Sequence, residues 1–473
     1  MQTGEGRAPF GGAGERDAGE EISIEFLGAA GTVTGSRYLL GDRGAKIMID
    51  CGLFQGGREL RERNWEPALS DHRAIDTIVL THAHLDHSGY IPRFVKEGWS
   101  GRILCTDATA DLCGLLLPDS GFLQENDAVF ANRHGYSRHK PALPLYTKKD
   151  AEVALDYLDP VRFGAYRSVA GGAELRFHRA GHILGAAFVE LKWRDRTILF
   201  SGDLGRFNDP VMLDPSPPVE ADYLIVESTY GNRSHEALDA VAALGDAIER
   251  CVRRGGTVVI PAFAVGRAQS ILYHLSRLRA AGRISNVPVY LDSPMAIDAS
   301  GIFCRHAGDH RLSQAECDAA CKVARYVRDV EESKALTMSP VPKVIISASG
   351  MATGGRVLHH LKRYAPDGRN LILFAGFQAS GTRGAAMVAG APSVKIHGEQ
   401  VPVRAEVRNL SMLSAHADAD EILKWLGQFV RAPRMTFITH GEPDAAAALA
   451  RRIGDELGWP CQIPGLGDRV VLE

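Results

Sequence analysis

Between residues 22 and 213, short apolar runs recur and end in polar residues: EISIEFLG (21–28), AKIMID (45–50), TIVLTH (77–82), GRILCT (101–106) and RTILFSGD (196–203). Runs of this length, separated by turns, predict strands stacked in sheet layers, with His and Asp carried on loops at the strand ends. PSPPVEAD (215–222) interrupts the pattern and marks a boundary. Beyond it, YLIVEST (223–229), TVVIPAF (257–263), VPVYLDS (287–293), KVIISASG (343–350) and NLILFAGF (370–377) alternate with helical segments. One of these, RAQSILYHLSRLRAAG (267–282), has near-helical apolar spacing and a Gly stop. Strand–helix alternation predicts an α/β unit with a parallel sheet. The end changes again: EILKWLGQFV (421–430) reads as a helix, MTFITH (435–440) as a strand and DAAAALARRIGDEL (444–457) as a helix. These three regions need not be three spatial domains, because the last can complete the first.

Composition narrows the class. With 45% hydrophobic and 23% charged residues over 473 positions, the chain is of ordinary globular type with a substantial core. No apolar stretch is long enough to span a bilayer. The Gly-rich, charged opening over residues 1–21 lacks an apolar segment and reads as a disordered leader. Eight scattered cysteines without a CxxC pair imply reduced thiols and a cytoplasmic protein, so metals are expected on His and carboxylates. The near-balance of 54 basic and 57 acidic residues argues against a basic coat protein, yet leaves room for a local basic groove.

The densest chemistry is His82-Ala83-His84-Leu85-Asp86-His87, directly after a predicted strand. One histidine there would read as a turn or cap residue. Four potential ligands in six positions can instead converge on metal, imidazole suiting zinc and the carboxylate offsetting charge. Distant partners are available. His182 lies between small residues in Gly181-His182-Ile183-Leu184-Gly185, and Asp203 in Ser201-Gly202-Asp203 is a good bridging carboxylate. Asp50 ends another apolar run, where it would ligate, hold water or orient a ligating histidine. Paired metals so held would serve hydrolysis, and phosphodiester cleavage in particular, by activating water and stabilising charge on phosphoryl oxygens.

Through Asp50, the HAHLDH motif, His182 and Asp203, residues 22–473 resemble the metallo-β-lactamase superfamily. The resemblance implies an αββα sandwich in which His82, His84 and His182 hold one zinc, Asp86 and His87 help hold a second, and Asp203 bridges them. Glu227 in VESTYG, His416 in SAHAD and His440 in THGE resemble the β-CASP branch of RNA-processing nucleases, typified by cleavage and polyadenylation specificity factor nuclease. Members of that branch insert an α/β domain into the sandwich. The implied division is a first sandwich part over 22–214, the insertion over 215–405 and a completing part over 406–473. Glu227 would orient His416, His416 would protonate the leaving group, and His440 would complete the second metal's ligands. The catalytic set is thus Asp50, Asp86, Asp203, Glu227 and His416, with two zinc ions as cofactors and single-stranded RNA in the inter-domain cleft.

Ser349-Gly350-Met351, Gly354-Gly355-Arg356 and Gly376 to Thr382 are loops of small residues that would let a polynucleotide backbone approach. Arg267, Ser349, Arg356, Ser380, Thr382 and Arg383 are accordingly expected phosphate contacts. Neither a P-loop nor a GxGxxG turn is present, which disfavours ATP and NAD roles. Among the branch, the chain resembles the shorter processing endonucleases, and endonucleolytic RNA cleavage is the favoured activity. The competing activities are 5′ exonuclease, DNA nuclease and small-ester or thioester hydrolase, with a non-catalytic RNA-binding scaffold as the non-enzymatic alternative.

Overall fold

The computed structural model describes residues 21–42, 44–66, 71–135 and 139–473. The leader expected over residues 1–21 therefore lies, but for Glu21, outside the described residues. The chain first lays down β1 (Ile22–Phe26), β2 (Tyr38–Gly41), β3 (Lys46–Ile49), β4 (Thr77–Val79), β5 (Arg102–Cys105) and β6 (Leu158–Pro160). It continues with β7 (Tyr166–Ser168), β8 (Glu174–Arg179), β9 (Ala187–Trp193), β10 (Arg196–Phe200) and β11 (Tyr223–Glu227). Then come β12 (Val258–Pro261), β13 (Val289–Leu291), β14 (Arg325–Tyr326), β15 (Val344–Ser347), β16 (Leu371–Phe374), the β17 (Ser393–Ile396) and β18 (Glu399–Pro402) hairpin, and β19 (Glu406–Asn409). The last strands are β20 (Met435–Thr439), β21 (Cys461–Gln462) and β22 (Arg469–Leu472).

Two seven-stranded sheets form the sandwich, in the orders β22-β1-β2-β3-β4-β5-β6 and β21-β20-β11-β10-β9-β8-β7. Period-2 alternation explains why they stack. Ile198, Phe200, Tyr223 and Ile225 meet Phe26, Ile47 and Ile49 between the sheets. The intervening Leu199, Leu224 and Val226 point outward and are covered by Ile422, Trp425, Leu449 and Ile453 of the helices Ala419–Leu426 and Pro443–Leu457. On the other outer face, Met48, Ile78 and Ile103 pack on Ile91, Phe94 and Leu112 from helices. The architecture is the expected αββα sandwich.

The inserted domain is a six-stranded sheet in the order β14-β13-β15-β12-β16-β19, with every pairing parallel. Val258, Ile260 and Leu373 face the helices Ala240–Arg253 and Arg267–Ala280, while Val259, Ile345 and Ile372 face the helix Val357–Tyr364. Sheet membership corrects the expected boundaries at both ends. β11 lies beyond residue 215 yet pairs with β10 and β20 inside the sandwich. β19 lies beyond residue 405 yet pairs with β16 of the insertion. Because both faces of β11 are buried, its apolar run looks the same in either kind of sheet.

The helix Asp107–His134 falls in a region read only as strands and loops. It buries Leu112, Cys113, Leu116 and Leu117 but leaves Phe122, Leu123, Val129 and Phe130 exposed, and it contains Pro118. Apolar residues on both faces erase the one-sided stripe by which a helix is recognised. Among the described residues, no helix is long and apolar enough to cross a membrane.

Candidate active site

Strand order brings the candidate residues to one edge. Asp203 follows β10, Glu227 ends β11 and His440 follows β20, and these three strands are parallel neighbours. Asp50 follows β3, which runs parallel to β4, and β4 leads into the HAHLDH turn and the short helix Leu85–Ser88. His182 sits in the connection between β8 and β9. The preceding Gly181 has φ of +77°, and a Cβ there would lie 2.6 Å from the Leu213 carbonyl oxygen, so only glycine lets this turn pass.

Two donor clusters share one carboxylate. In the first, His84 Nδ1 lies 3.2 Å from His82 Nε2 and 3.3 Å from His182 Nε2. Asp203 Oδ2 lies 3.5 Å from His82 Nε2 and 3.6 Å from His182 Nε2. Four ligands about 2.1 Å from a common tetrahedral centre would stand about 3.4 Å apart, so the set fits zinc. In the second, His87 Nε2 lies 3.1 Å from His440 Nε2 and 3.3 Å from Asp203 Oδ1. Asp86 Oδ2 is 3.9 Å from His87 Nε2 and 3.6 Å from His440 Nε2. Asp203 thus turns one oxygen to each cluster, and its buried Oδ1 has no hydrogen-bond partner among the described residues. A buried carboxylate oxygen in that state calls for a cation.

Electrostatics agree with a ligating role for His82 and His182. Burial, then His87, pushes His82 well below the ordinary imidazole pKa, and burial, then His416, does the same to His182. Neutral imidazole is the form that binds metal. Burial would also lower His87, but Asp203 and Asp50 outweigh it and hold its pKa well above the usual value. Asp50 stands behind the clusters: its Oδ2 accepts from His87 Nδ1 at 2.6 Å, and its Oδ1 accepts from the Thr81 amide at 2.8 Å. Of the three roles open to Asp50, this contact matches the orienting one.

His416 belongs to neither cluster. Its Nδ1–H donates to Glu227 Oε2 at 3.1 Å, and the nearest Asp203 oxygen is 3.9 Å away. Burial alone would depress His416, yet Glu227 and then Asp203 keep its pKa above the ordinary value. Glu227 also comes within reach of the Asp203 and His440 donors. Its oxygens, however, already accept from the Leu204 amide at 2.5 Å and the Thr229 hydroxyl at 2.6 Å, which suits orientation better than ligation. A further group, His235, Asp418 and Glu421, is committed to capping the helix at Asp418 and to Arg206.

The expected phosphate contacts divide. Arg356 spends its donors on Asp292 and on the Val327 and Arg328 carbonyls. Arg383 bonds the Ala352, Thr353 and Lys395 carbonyls, and Thr382 is buried as a helix N-cap. These three side chains have partners inside the inserted domain, which cationic or hydroxyl character alone does not reveal. The Ser349 hydroxyl closes a turn with Thr353. Ser380 is exposed, its amide bonded to Glu442 of the sandwich. Arg267 is buried, its Nε has no hydrogen-bond partner among the described residues, and burial lowers its pKa to about 10. Sequence reasoning missed Thr81, Thr229 and His235. The first two adjoin or closely follow motif residues and could have been found that way. His235, whose Nε2–H donates to the His416 carbonyl at 3.0 Å, has no local signal. His397 packs on His359 in the insertion.

Comparison with known proteins matches three family profiles along the chain. They are the metallo-beta-lactamase superfamily over residues 30–261, the Beta-Casp domain over 268–387, and the Zn-dependent metallo-hydrolase RNA specificity domain over 400–464. The chain is 38% identical to Ribonuclease TTHA0252 of Thermus thermophilus over 441 residues, covering 91% of this chain and 95% of that protein. It is 31% identical to Transcription termination factor FttA of Methanosarcina mazei, covering 92% and 69% respectively. An RNase J-like protein of Methanocaldococcus jannaschii is 27% identical, covering 94% and 99%.

Proposed function

From the premise that this chain belongs to the β-CASP branch of the metallo-β-lactamase superfamily, and is a metal-dependent RNA-processing hydrolase, we propose that it is a two-zinc endoribonuclease acting on single-stranded RNA. The observation that carries the reading is the Glu227–His416 pair standing beside two donor clusters that both reach Asp203, with His416 in neither. His82, His84, His182 and Asp203 would hold one ion, and Asp86, His87, His440 and Asp203 the other. Ions held there would polarise a phosphoryl oxygen and lower the pKa of a water.

The remaining work falls to side chains. Glu227 accepts from Nδ1–H of His416, which leaves Nε2 as the nitrogen that delivers a proton to the departing oxygen. Asp50 fixes the His87 ring through Nδ1, so that Nε2 faces the second cluster. Thr229 steadies both carboxylate and ligand: its hydroxyl donates to Glu227 and lies 3.2 Å from His440 Nδ1. Arg267 and Ser380 remain the proposed backbone contacts.

A circular single-stranded RNA and its linear form, each with matched DNA, test the reading on zinc-loaded protein. Cutting of the circle with RNA preferred is expected. Cleavage of the linear RNA alone would assign an end-dependent exonuclease, and equal or better cleavage of DNA would overturn the RNA preference.

A further inference from the structure

Phe263 follows β12 by two residues, at the end of the strand nearest the metal-ligating histidines. Its side chain remains 37% exposed. The ring centroid lies 6.0 Å from the imidazole of His84, with the planes inclined at 43°. The ring is supported from the insertion: a Cβ on Gly350 would approach its Cδ2 to 2.7 Å and its Cε2 to 2.9 Å. Glycine at 350 is thus what lets the loop close against the ring. Gln378 Nε2 in turn holds the Gly350 carbonyl at 3.2 Å, and the Phe263 carbonyl accepts from the Ala268 amide at 3.1 Å. An aromatic side chain is therefore fixed in place on one side and left open on another, beside a donor cluster that would sit at the reacting phosphate. Leaving such a ring in water forgoes hydrophobic stabilisation, which a ligand surface would restore.

We propose that Phe263 forms a base-stacking subsite that takes the nucleobase of a nucleotide flanking the scissile phosphate. Aromatic rings bind unstacked bases of single strands through their π-faces, and they do so with little regard to base identity. The subsite therefore makes the enzyme selective for single-stranded, splayed nucleotides without imposing a sequence. The inference rests on the RNA-hydrolase reading and adds to it the group that grips the base.

The test uses an RNA with one mapped cleavage site, made intact and with an abasic nucleotide on either side of the scissile bond. Metal content and kcat/KM are measured for the native protein, Phe263→Ala and Phe263→Trp. F263A is expected to retain its metals and to lose roughly 5- to 150-fold on intact RNA, the range that base–aromatic stacking is worth. It should cut one of the two abasic RNAs as efficiently as the native protein does, and F263W should recover the intact substrate. If the F263A and abasic losses multiply at both positions, the ring touches neither base and the inference is overturned while the RNA-hydrolase reading stands. Loss of metal from F263A, or no recovery in F263W, also overturns it, since the ring would then be a prop for His84. If the metal-loaded native protein leaves intact RNA uncut, the hydrolase reading fails and takes the subsite with it.

Discussion

Replacing His416 with alanine separates proton delivery from metal binding. Neither donor cluster includes His416, and within each neighbouring donors already approach to between 3.1 and 3.9 Å without it. H416A should therefore keep the native metal content. It also vacates the Glu227 acceptor at 3.1 Å, leaving the carboxylate its bonds from Leu204 and Thr229 among the described residues. The loss then falls on the chemical step. General acid catalysis is worth roughly 10²–10⁴-fold, or about 3–5 kcal/mol of barrier. Single-turnover cleavage of an RNA with one site measures that step directly. The same RNA carrying sulfur in place of the bridging leaving oxygen needs little protonation and should recover most of the H416A defect. An alanine at a ligand such as His82 should stay crippled on both substrates. Loss of a metal from H416A, or an equal defect on oxygen and sulfur leaving groups, would refute the acid assignment.

Other expectations follow from the same contacts. Asp203→Ala removes the carboxylate common to both clusters, so elemental analysis should find both ions depleted, whereas Asp86→Ala should deplete one; equal loss in the two variants would count against a shared ligand. Asp50→Ala frees the His87 ring from its 2.6 Å partner and should weaken metal affinity roughly 10–100-fold, the usual scale for such orienting groups, read by chelator competition. His274, buried beside Arg267 with no partner for Nδ1 among the described residues, has its pKa lowered by burial to about 4 from 6.5. A depressed folded-state pKa means the unfolded chain takes up the proton first. Its stabilising effect is complete above pH 6.5 and is lost as pH falls toward 4, by up to roughly 3 kcal/mol. His274→Phe should flatten that part of the stability–pH curve, and an unchanged curve would discount His274 as its source.

Local spacing was enough to expose half of the candidate site. His82, His84, Asp86 and His87 lie in one turn after one strand, so their convergence is a property of six consecutive residues. Asp50, Asp203, Glu227 and His440 each close or directly follow an apolar run, and parallel strands bring such ends to one edge. The αββα architecture was legible for the same reason: strand and helix periods are written in neighbouring residues, and the family resemblance supplied their arrangement. What local sequence leaves undecided is which surface each element meets. YLIVE is apolar on both faces, and only its pairing with β10 and β20 assigns it to the sandwich rather than the insertion. The helix Asp107–His134 is masked because its exposed face carries Phe122 and Phe130 as well. An arginine offers the same donors to a phosphate as to a buried carboxylate or a carbonyl, and tertiary packing alone commits Arg356 and Arg383 to internal partners. The 3.1 Å contact of His416 with Glu227, across 189 residues, likewise exists only once the last part of the chain has folded back onto the sandwich. Periodicity and motif spacing are short-range properties that a sequence carries outright, whereas burial and hydrogen-bond partnership are long-range and are decided by the fold.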